Sequence, residues 1–395
     1  MSLIPPQGFL FSACASGIKA SGKPDLALAL APDGASAAAM FTRNQIVAAP
    51  VTIGREHLRR SGGRVRAVIV NAGNANCATG KQGLQAAKRV CSELVSQLNV
   101  KPEQVFPSST GVIGVPLPTE KITSALPRLI ASAVSGSEAL DEFAHAILTT
   151  DTHAKASCQS LAHSGKSATL VGVAKGAGMI HPNMATMLVY LFTDLAASPQ
   201  QLKPLLKRAV DESFHNISID GDTSTNDTVL LLASGNSGLE AKTVRAEFQA
   251  ALTKVCRSLA AQIVADGEGV KHVVRLRIEQ ARNSEDARKI ARAIANSSLV
   301  KTSWAGADPN WGRVLAAIGY SGVAIHPEHV NIYLGEQQVC RNGAACRFDA
   351  DRAHQYMSEP AYEVRVALGA GSHTLEFLSC DLTQDYVSIN ADYST

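Results

Sequence analysis

The chain has 395 residues, of which 46% are hydrophobic and only 18% are charged, against roughly 25% charged in an average soluble protein. This balance predicts a folded protein with a large interior and excludes a disordered chain. The formal net charge is only +3 and the two signs are interleaved, which argues against a nucleic-acid partner. The longest apolar stretch, 184–192, is far shorter than the ~20 residues that cross a bilayer, so no membrane span is expected.

The eight cysteines are scattered, with no C-x-x-C pair and no histidine at metal-ligand spacing. A secreted disulfide framework would be denser, and a zinc site would show paired ligands. The N-terminus has no basic residue ahead of its apolar patch, and Pro5 and Pro6 interrupt that patch, unlike a signal peptide. We therefore expect reduced thiols, no metal and a cytoplasmic location.

The predicted elements alternate along the chain. Apolar and β-branched runs indicate strands at 65–70, 168–173, 187–192, 330–334, 362–368 and 386–389. Apolar residues at helical spacing indicate helices after Ser198-Pro199, over 244–263 and after Asn283-Ser284. The pattern predicts an α/β or α+β fold, with a domain boundary in the polar stretch 279–285.

Two familiar motifs fail to match. Gly17 to Lys23 has P-loop spacing, but Pro24 stands where a Ser or Thr would hold Mg²⁺. The acidic loop 220–227 lacks the glycine and glutamate placement of an EF-hand, so a hydrogen-bonded turn is predicted there. Neither a nucleotide site nor a calcium site is expected.

The segment KGAGMIHPNMATMLVYLF, 175–192, places a threonine where a strand begins abruptly. Such a threonine is ordinary in a strand, yet its hydroxyl can also attack the Ala185–Thr186 peptide bond to give an ester that water cleaves. The new N-terminal Thr186 would carry both a nucleophile and a base, since an α-amine has a pKa of about 8. Lys175 would add positive charge nearby.

A nucleophile of this kind needs donors for the developing oxyanion. The segment 108–114 offers the Thr110 hydroxyl beside the unhindered Gly111 N–H. Ser/Thr/Gly clusters are more often plain loops, so this motif alone is weak.

Nine segments in order resemble the ornithine acetyltransferase, or glutamate N-acetyltransferase, family of arginine biosynthesis. They span essentially the whole chain: GIKASGKPDLAL, NAGNANCATG, STGVIG, TTDT, KGAGMIHPNMATML, DGDTSTND, DGEG, DPNWGR and DYVSINADYST. The resemblance implies that Thr186 is the nucleophile, that the chain cleaves itself after Ala185, and that Thr110 and Gly111 form the oxyanion hole. It also implies substrate contacts by Thr152, Lys175, Thr186, Glu268, Asn390 and Thr395. Glu268 would suit a substrate ammonium and Lys175 a carboxylate.

The family fold implied by the resemblance is a four-layer α/β/β/α sandwich like that of N-terminal-nucleophile hydrolases, followed by a smaller C-terminal α/β domain. The predicted domains are 1–280 and 281–395, and the predicted mature chains, 1–185 and 186–395, would assemble as an α₂β₂ heterotetramer. The implied ping-pong reaction moves an acetyl group from N²-acetyl-L-ornithine through Thr186 to L-glutamate, without a cofactor or metal. Some family members also use acetyl-CoA as donor.

Two alternatives stay open. A threonine aminopeptidase or amidohydrolase on the same scaffold would pass the acyl group to water. An uncleaved binding protein for acetylated amino acids would show affinity without turnover.

Overall fold

A computed structural model describes residues 3–181 and 187–392, and over these ranges the strands form two sheets. The eight-stranded sheet contains β1 (Leu10–Cys14), β2 (Leu26–Phe41), β3 (Arg64–Asn74), β4 (Val105–Val112), β5 (Lys155–His163), β6 (Lys166–Lys175), β7 (Leu188–Thr193) and β8 (Thr228–Ala233). The six-stranded sheet contains β9 (Val273–Ala281), β10 (Asn331–Leu334), β11 (Gln337–Arg341), β12 (Ala344–Ala345), β13 (Ala361–Ala367) and β14 (His373–Cys380).

The helices cover the sheets and connect their strands. They are α1 (Ala49–Arg60), α2 (Gly80–Leu98), α3 (Thr119–Ala131), α4 (Ser137–Ala146), α5 (Pro199–Asp211), α6 (Arg245–Ala265), α7 (Ser284–Ala295), α8 (Ser298–Ala305), α9 (Trp311–Gly319), α10 (Ala350–Met357) and α11 (Gln384–Asp392). Short 3₁₀ turns lie at Pro102–Gln104, Phe214–Asn216 and Pro327–His329. Within the described ranges, none of the helices is both long and apolar enough to cross a membrane.

The strand order of the larger sheet is β4-β3-β2-β8-β7-β6-β5, with β1 pairing to β2. The pairs β3–β4 and β7–β8 are parallel, and the other pairs are antiparallel. Strand β8 therefore lies between β2 and β7, which joins the early and late strands in one sheet.

The larger sheet folds so that its two halves face each other. Val68 of β3 and Tyr190 of β7 belong to the same apolar cluster, although their strands lie in opposite halves. Successive strand residues point to opposite faces, and the neighbouring Ile69 packs with α2 and α3 while Leu191 packs with α5 and α6. The two half-sheets thus face each other, and each is covered on its outer face by helices. This confirms the predicted α/β/β/α sandwich. The six-stranded sheet with its helices forms the additional α/β unit.

The three predicted helices form as α5, α6 and α7. Ser198 caps α5, since its Oγ accepts a hydrogen bond of 3.3 Å from the Gln201 N–H. Asn283 caps α7 in the same way, with its Oδ1 accepting from the Asp286 N–H over 2.9 Å. These caps explain why the apolar periodicity begins where it does.

The first five of the six predicted strands form as β3, β6, β7, β10 and β13. The sixth, predicted at 386–389, is wrong. That stretch lies in α11, which begins after Thr383, whose Oγ1 accepts a hydrogen bond of 3.2 Å from the Tyr386 N–H. Val387 is 59% exposed, so the apolar alternation there does not mark a sheet face with a buried side. Strand β9 pairs with β13 and β14, and the division into domains at 280 and 281 stays a prediction.

Candidate active site

A cavity of about 230 Å³ opens where β4 and β6 end. Five residues predicted from the sequence line it together: Thr110, Gly111, Lys175, Glu268 and Asn390. Its other lining residues are Ala75, Ile113, Thr149, Thr150, Gly178, Met179, Asp220, Asp222, Ser224, Thr225, Asn226 and Tyr386. The fold thus gathers side chains from distant parts of the sequence around one small, polar space.

Gly111 lies where β3 and β4 approach each other most closely. Its φ is +130°, and a Cβ atom there would lie 2.3 Å from the carbonyl carbon of Gly73. Only glycine fits this position, because any side chain would both strain the backbone and collide with β3. The neighbouring Thr110 is buried, so the hydroxyl and the Gly111 backbone are presented at a rigid strand end.

Lys175 ends β6 and is almost fully buried. Its Nζ donates a hydrogen bond of 3.0 Å to Thr110 Oγ1. Burial lowers the pKa of Lys175, while the carboxylates of Asp151 and Glu268 act in the opposite direction. The Lys175 side chain is therefore shielded from solvent and lies near a small set of acidic groups.

Asp151 is the nearest structural support of Lys175. Its Oδ1 accepts a hydrogen bond of 2.6 Å from the Gly176 N–H, immediately after Lys175. Burial alone would raise the pKa of Asp151, but the charges of Lys175 and Lys155 outweigh it and lower the pKa to about 2. The carboxyl group is thus ionised, and the loop before β5 is tied to the end of β6.

Glu268 and Asn390 form a hydrogen-bonded pair in the cavity wall. Asn390 Nδ2 donates to Glu268 Oε2 over 2.9 Å and also to the Tyr386 carbonyl, one helical turn earlier. A Cβ at Gly178 would lie 2.6 Å from Glu268 Oε2, so the absence of a side chain there makes room for the carboxylate. The C-terminal helix α11 thereby reaches the cavity, although the sequence predicted a strand there.

Thr152 does not line the cavity. Its N–H donates to Asp266 Oδ2 over 3.1 Å and its hydroxyl donates to Asp266 Oδ1. The preceding threonines, Thr149 and Thr150, line the cavity in its place. The TTDT segment therefore contributes to the site, while a substrate contact by Thr152 itself stays a prediction.

The acidic loop 220–227 was predicted only as a turn, and it is one: the Asp222 N–H donates to Asp220 Oδ1 over 3.2 Å. It also supplies much of the cavity wall, which the sequence interpretation missed because its turn propensities explained every residue. Burial raises the pKa of Asp220 to about 6, although backbone amides, including the Ile180 N–H at 2.8 Å, act in the opposite direction. The sequence did carry one signal of a further role, because this polar run is longer than a single turn requires.

The predicted cleavage residues Ala185 and Thr186, and the predicted substrate contact Thr395, lie outside the described residues. The described chain resumes at Met187, whose N–H donates to Asp227 Oδ1 over 3.1 Å. Asp227 is fully buried, and this burial raises its pKa well above the usual range. The first residue after position 186 is therefore anchored beside β8.

Comparison with known proteins identifies the family. The family model of the ArgJ family matches residues 10–395. The chain is also 42% identical over 394 residues to an arginine biosynthesis bifunctional protein ArgJ of Geobacter sulfurreducens, with 98% of this chain and 99% of that protein covered. The chain belongs to the ArgJ family.

Two further ArgJ proteins extend this similarity. The protein named arginine biosynthesis bifunctional protein ArgJ of Thermus thermophilus is 44% identical over 395 residues, with both chains covered completely. A crystal structure of arginine biosynthesis bifunctional protein ArgJ from Bacillus halodurans is 38% identical, with 51% of this chain and 96% of that chain covered at a TM-score of 0.49. ArgJ membership confirms the family predicted from the nine segments, and with it an enzyme of arginine biosynthesis.

Proposed function

We propose that this ArgJ-family protein moves an acetyl group from N²-acetyl-L-ornithine to L-glutamate. The observation that carries the proposal is that one cavity of about 230 Å³ holds Thr110, Gly111, Lys175 and Glu268 together. These residues offer oxyanion donors, a cation and a carboxylate, which acyl transfer between amino acids can use beside the nucleophile Thr186. An amino-acid substrate is small enough for such a space.

The first proposed step is maturation, in which the chain cleaves itself. The Thr186 hydroxyl oxygen attacks the Ala185 carbonyl carbon, its proton passes to the Thr186 nitrogen, and the C–N bond breaks to leave an ester and a free α-amine. Water then attacks the ester, which releases the Ala185 carboxylate and restores the hydroxyl. The products are chains 1–185 and 186–395.

Acetyl transfer then follows a ping-pong course. The α-amine of Thr186 takes the proton of its own hydroxyl, and the oxygen attacks the acetyl carbon of the donor. The Gly111 N–H and the Thr110 hydroxyl stabilise the oxyanion, and L-ornithine leaves with the transferred proton on its amine. The amine of L-glutamate attacks acetyl-Thr186 in the reverse order and departs as N-acetyl-L-glutamate. The acetyl group is carried on the enzyme, so no cofactor takes part.

The charged residues recognise the substrate in this proposal. Lys175 pairs with the substrate carboxylate, and Glu268, oriented by Asn390, pairs with the ornithine side-chain ammonium. Their support is the shared cavity and the Glu268–Asn390 hydrogen bond. Thr152 and Thr395 complete the proposed contacts.

Two measurements test the proposal. Intact mass under denaturing conditions should give chains of about 19 and 22 kDa from the 41.5 kDa precursor, with Thr186→Ser still cleaved and Thr186→Ala left whole. The purified enzyme, incubated with N²-acetyl-L-ornithine and L-glutamate, should form N-acetyl-L-glutamate. Release of acetate alone would support the hydrolase, and binding without cleavage or turnover would support the binding protein. Replacing the donor by acetyl-CoA determines whether that second donor is used.

The proposal extends to assembly and location. We assign an α₂β₂ heterotetramer of the two chains and a cytoplasmic location, with domains 1–280 and 281–395. All eight cysteines lie in the described ranges, and none of them is paired in a disulfide there. Light scattering of the matured enzyme measures the assembly: a mass of about two precursors is expected, and a mass of one would contradict it.

A further inference from the structure

Lys155 is a fully buried cation that does not line the cavity. Its Nζ donates to Asp151 Oδ1 over 2.7 Å and to Asp266 Oδ2 over 2.5 Å. Both carboxyl groups are buried as well. Removing a buried charge from such a bridge leaves its partners uncompensated, so together with the Thr152 hydrogen bonds to Asp266 this bridge ties the segment before β5 to the end of α6.

The Asp151 end of the bridge leads to Lys175. Asp151 accepts the Gly176 N–H at one oxygen, and the other oxygen accepts the Thr149 N–H over 3.1 Å. Thr149 lines the cavity, and Gly176 directly follows Lys175. The position of Asp151 therefore determines the backbone positions of the cationic side of the cavity.

The Asp266 end of the bridge leads to Glu268. Asp266 is the C-cap residue that follows α6, and Glu268 follows two residues later. The Glu268 N–H donates to the Ala177 carbonyl over 3.0 Å, so the acidic side of the cavity is also connected back to the segment after β6. A displacement of Asp266 would move the Glu268 carboxylate relative to Lys175.

We propose that Lys155 is a positioning residue that sets the distance between Lys175 and Glu268, and that this distance selects the donor by length. The inference rests on the proposed function, in which one donor presents its carboxylate to Lys175 and its side-chain ammonium to Glu268. Ornithine and lysine differ by one methylene between these groups. A pocket with fixed ends discriminates one methylene by about 10- to 200-fold. Loss of the bridge lets the two ends separate and weakens that discrimination.

The experiment compares kcat/KM for N²-acetyl-L-ornithine and N²-acetyl-L-lysine with L-glutamate as acceptor. Lys155→Met keeps the length of the side chain but removes its charge. Asp266→Asn keeps one accepting oxygen, replaces the other by an N–H donor and removes the negative charge of the bridge. We expect the ornithine-to-lysine ratio to fall at least fivefold in Lys155→Met and by a smaller factor in Asp266→Asn. The loss should lie mainly in KM for the ornithine donor.

A matched control separates positioning from general stability. Lys301 is also a buried lysine, its Nζ donates to the Cys380 carbonyl, and neither residue lines the cavity. Lys301→Met should lower the melting temperature and leave the donor ratio as in the wild type. Intact mass and circular dichroism establish that each variant is matured and folded.

The outcomes are distinguishable. A donor ratio equal to that of the wild type in folded Lys155→Met would overturn the inference while leaving the proposed function standing. Should Lys155→Met fail to fold, Asp266→Asn decides, and an unchanged ratio there overturns the inference as well. A wild-type enzyme that does not transfer acetyl from N²-acetyl-L-ornithine would contradict the proposed function itself.

Discussion

Lys175 Nζ and Thr110 Oγ1 meet across the sandwich at 3.0 Å, with both side chains buried. Thr110 belongs to β4 in one half of the folded sheet, and Lys175 belongs to β6 in the other half. This hydrogen bond therefore joins the two halves at the cavity and sets the direction of the Thr110 hydroxyl. The pair acts as a unit, and its energetic coupling can be measured.

The first prediction concerns this pair. Lys175→Met removes the donor to Thr110 and a buried positive charge, and Thr110→Val removes the hydroxyl at nearly constant volume. Each change should lower the acetylation rate by about 10²- to 10³-fold, the usual effect of losing an oxyanion donor. The double variant should lose little more than either single one, because the two groups work together. Single-turnover acetylation of matured protein measures the rates.

The exposed Lys166 on the same strand is the control for this cycle, and Lys166→Met should acetylate at the wild-type rate. Strictly additive losses in the Lys175 and Thr110 variants would show that the two side chains act independently.

The second prediction concerns the pH dependence of stability. Burial raises the pKa of Asp220 in the folded protein to about 6 from 3.8, so the unfolded chain loses this proton at lower pH than the folded one. The contribution of Asp220 to stability is therefore complete below pH 3.8 and is lost as the pH rises through 6. Relative to Asp220→Asn, the parent should therefore lose about 2 kcal/mol of unfolding free energy between pH 4 and pH 7.

Urea unfolding of the uncleaved Thr186→Ala chain, with and without Asp220→Asn, measures this difference at each pH. The exposed Asp33→Asn in the same background is the matched control. A difference that stays constant from pH 4 to pH 7 would mean that Asp220 is not a buried titrating group.

The third prediction concerns the close approach at Gly111. Gly111→Ala places a Cβ atom 2.3 Å from the Gly73 carbonyl carbon, so the ends of β3 and β4 must separate. Gly114→Ala is the matched control, because Gly114 also has a positive φ of +83° but has no heavy atom within 4 Å of the added carbon. Strain alone costs of order 1–3 kcal/mol, so Gly114→Ala should stay folded.

Gly111→Ala should be destabilised further than Gly114→Ala in thermal unfolding, and its cleavage into two chains should be slower. Equal melting temperatures for the two variants would show that the strand ends have room to adjust.

The fourth prediction concerns Asn390 as the support of Glu268. Asn390→Ala removes the Nδ2 donor to Glu268 Oε2, so the carboxylate loses its fixed direction. We expect KM for N²-acetyl-L-ornithine to rise several-fold with a smaller change in kcat, because this charge-assisted hydrogen bond is exposed and contributes less than the about 1.5–3 kcal/mol of a fully formed one. Val387→Ala, an exposed change on the same helix, should leave both constants unchanged. An effect confined to kcat would place Asn390 in the chemical step.

Local patterns in the sequence predicted much of the fold. The helices α5, α6 and α7 carry their own periodicity, and Ser198 and Asn283 cap two of them by bonds to residues three positions away. The strand predicted at 386–389 failed because alternation of apolar residues was its only support, whereas the cap formed by Thr383 decides for a helix. Prediction of a helix from local sequence is reliable where a capping residue and the apolar periodicity indicate the same start.

Site residues were predictable where the residue type itself suggests a role, as for the charge of Lys175 and the unhindered N–H of Gly111. The supporting charges were not, because Lys155 and Asp266 are 111 positions apart and neither segment looks unusual alone. The same holds for Asp220, whose loop had a sufficient local explanation as a turn. Long-range ion pairs depend on the fold itself, and a single sequence does not display them.

The position of β7 and β8 in the larger sheet has a consequence for any protein made of the two pieces. A cut between β6 and β7 leaves β7 and β8 on the second piece, yet they lie between β2 and β6 of the first. Without the second piece, β2 and β6 of the first would be separated by a gap, and β7–β8 alone would expose an unpaired edge on each side. The two pieces are thus interleaved within one sheet. Two separately expressed halves would have to fold around each other, so an intact precursor is the simplest route to the finished sheet.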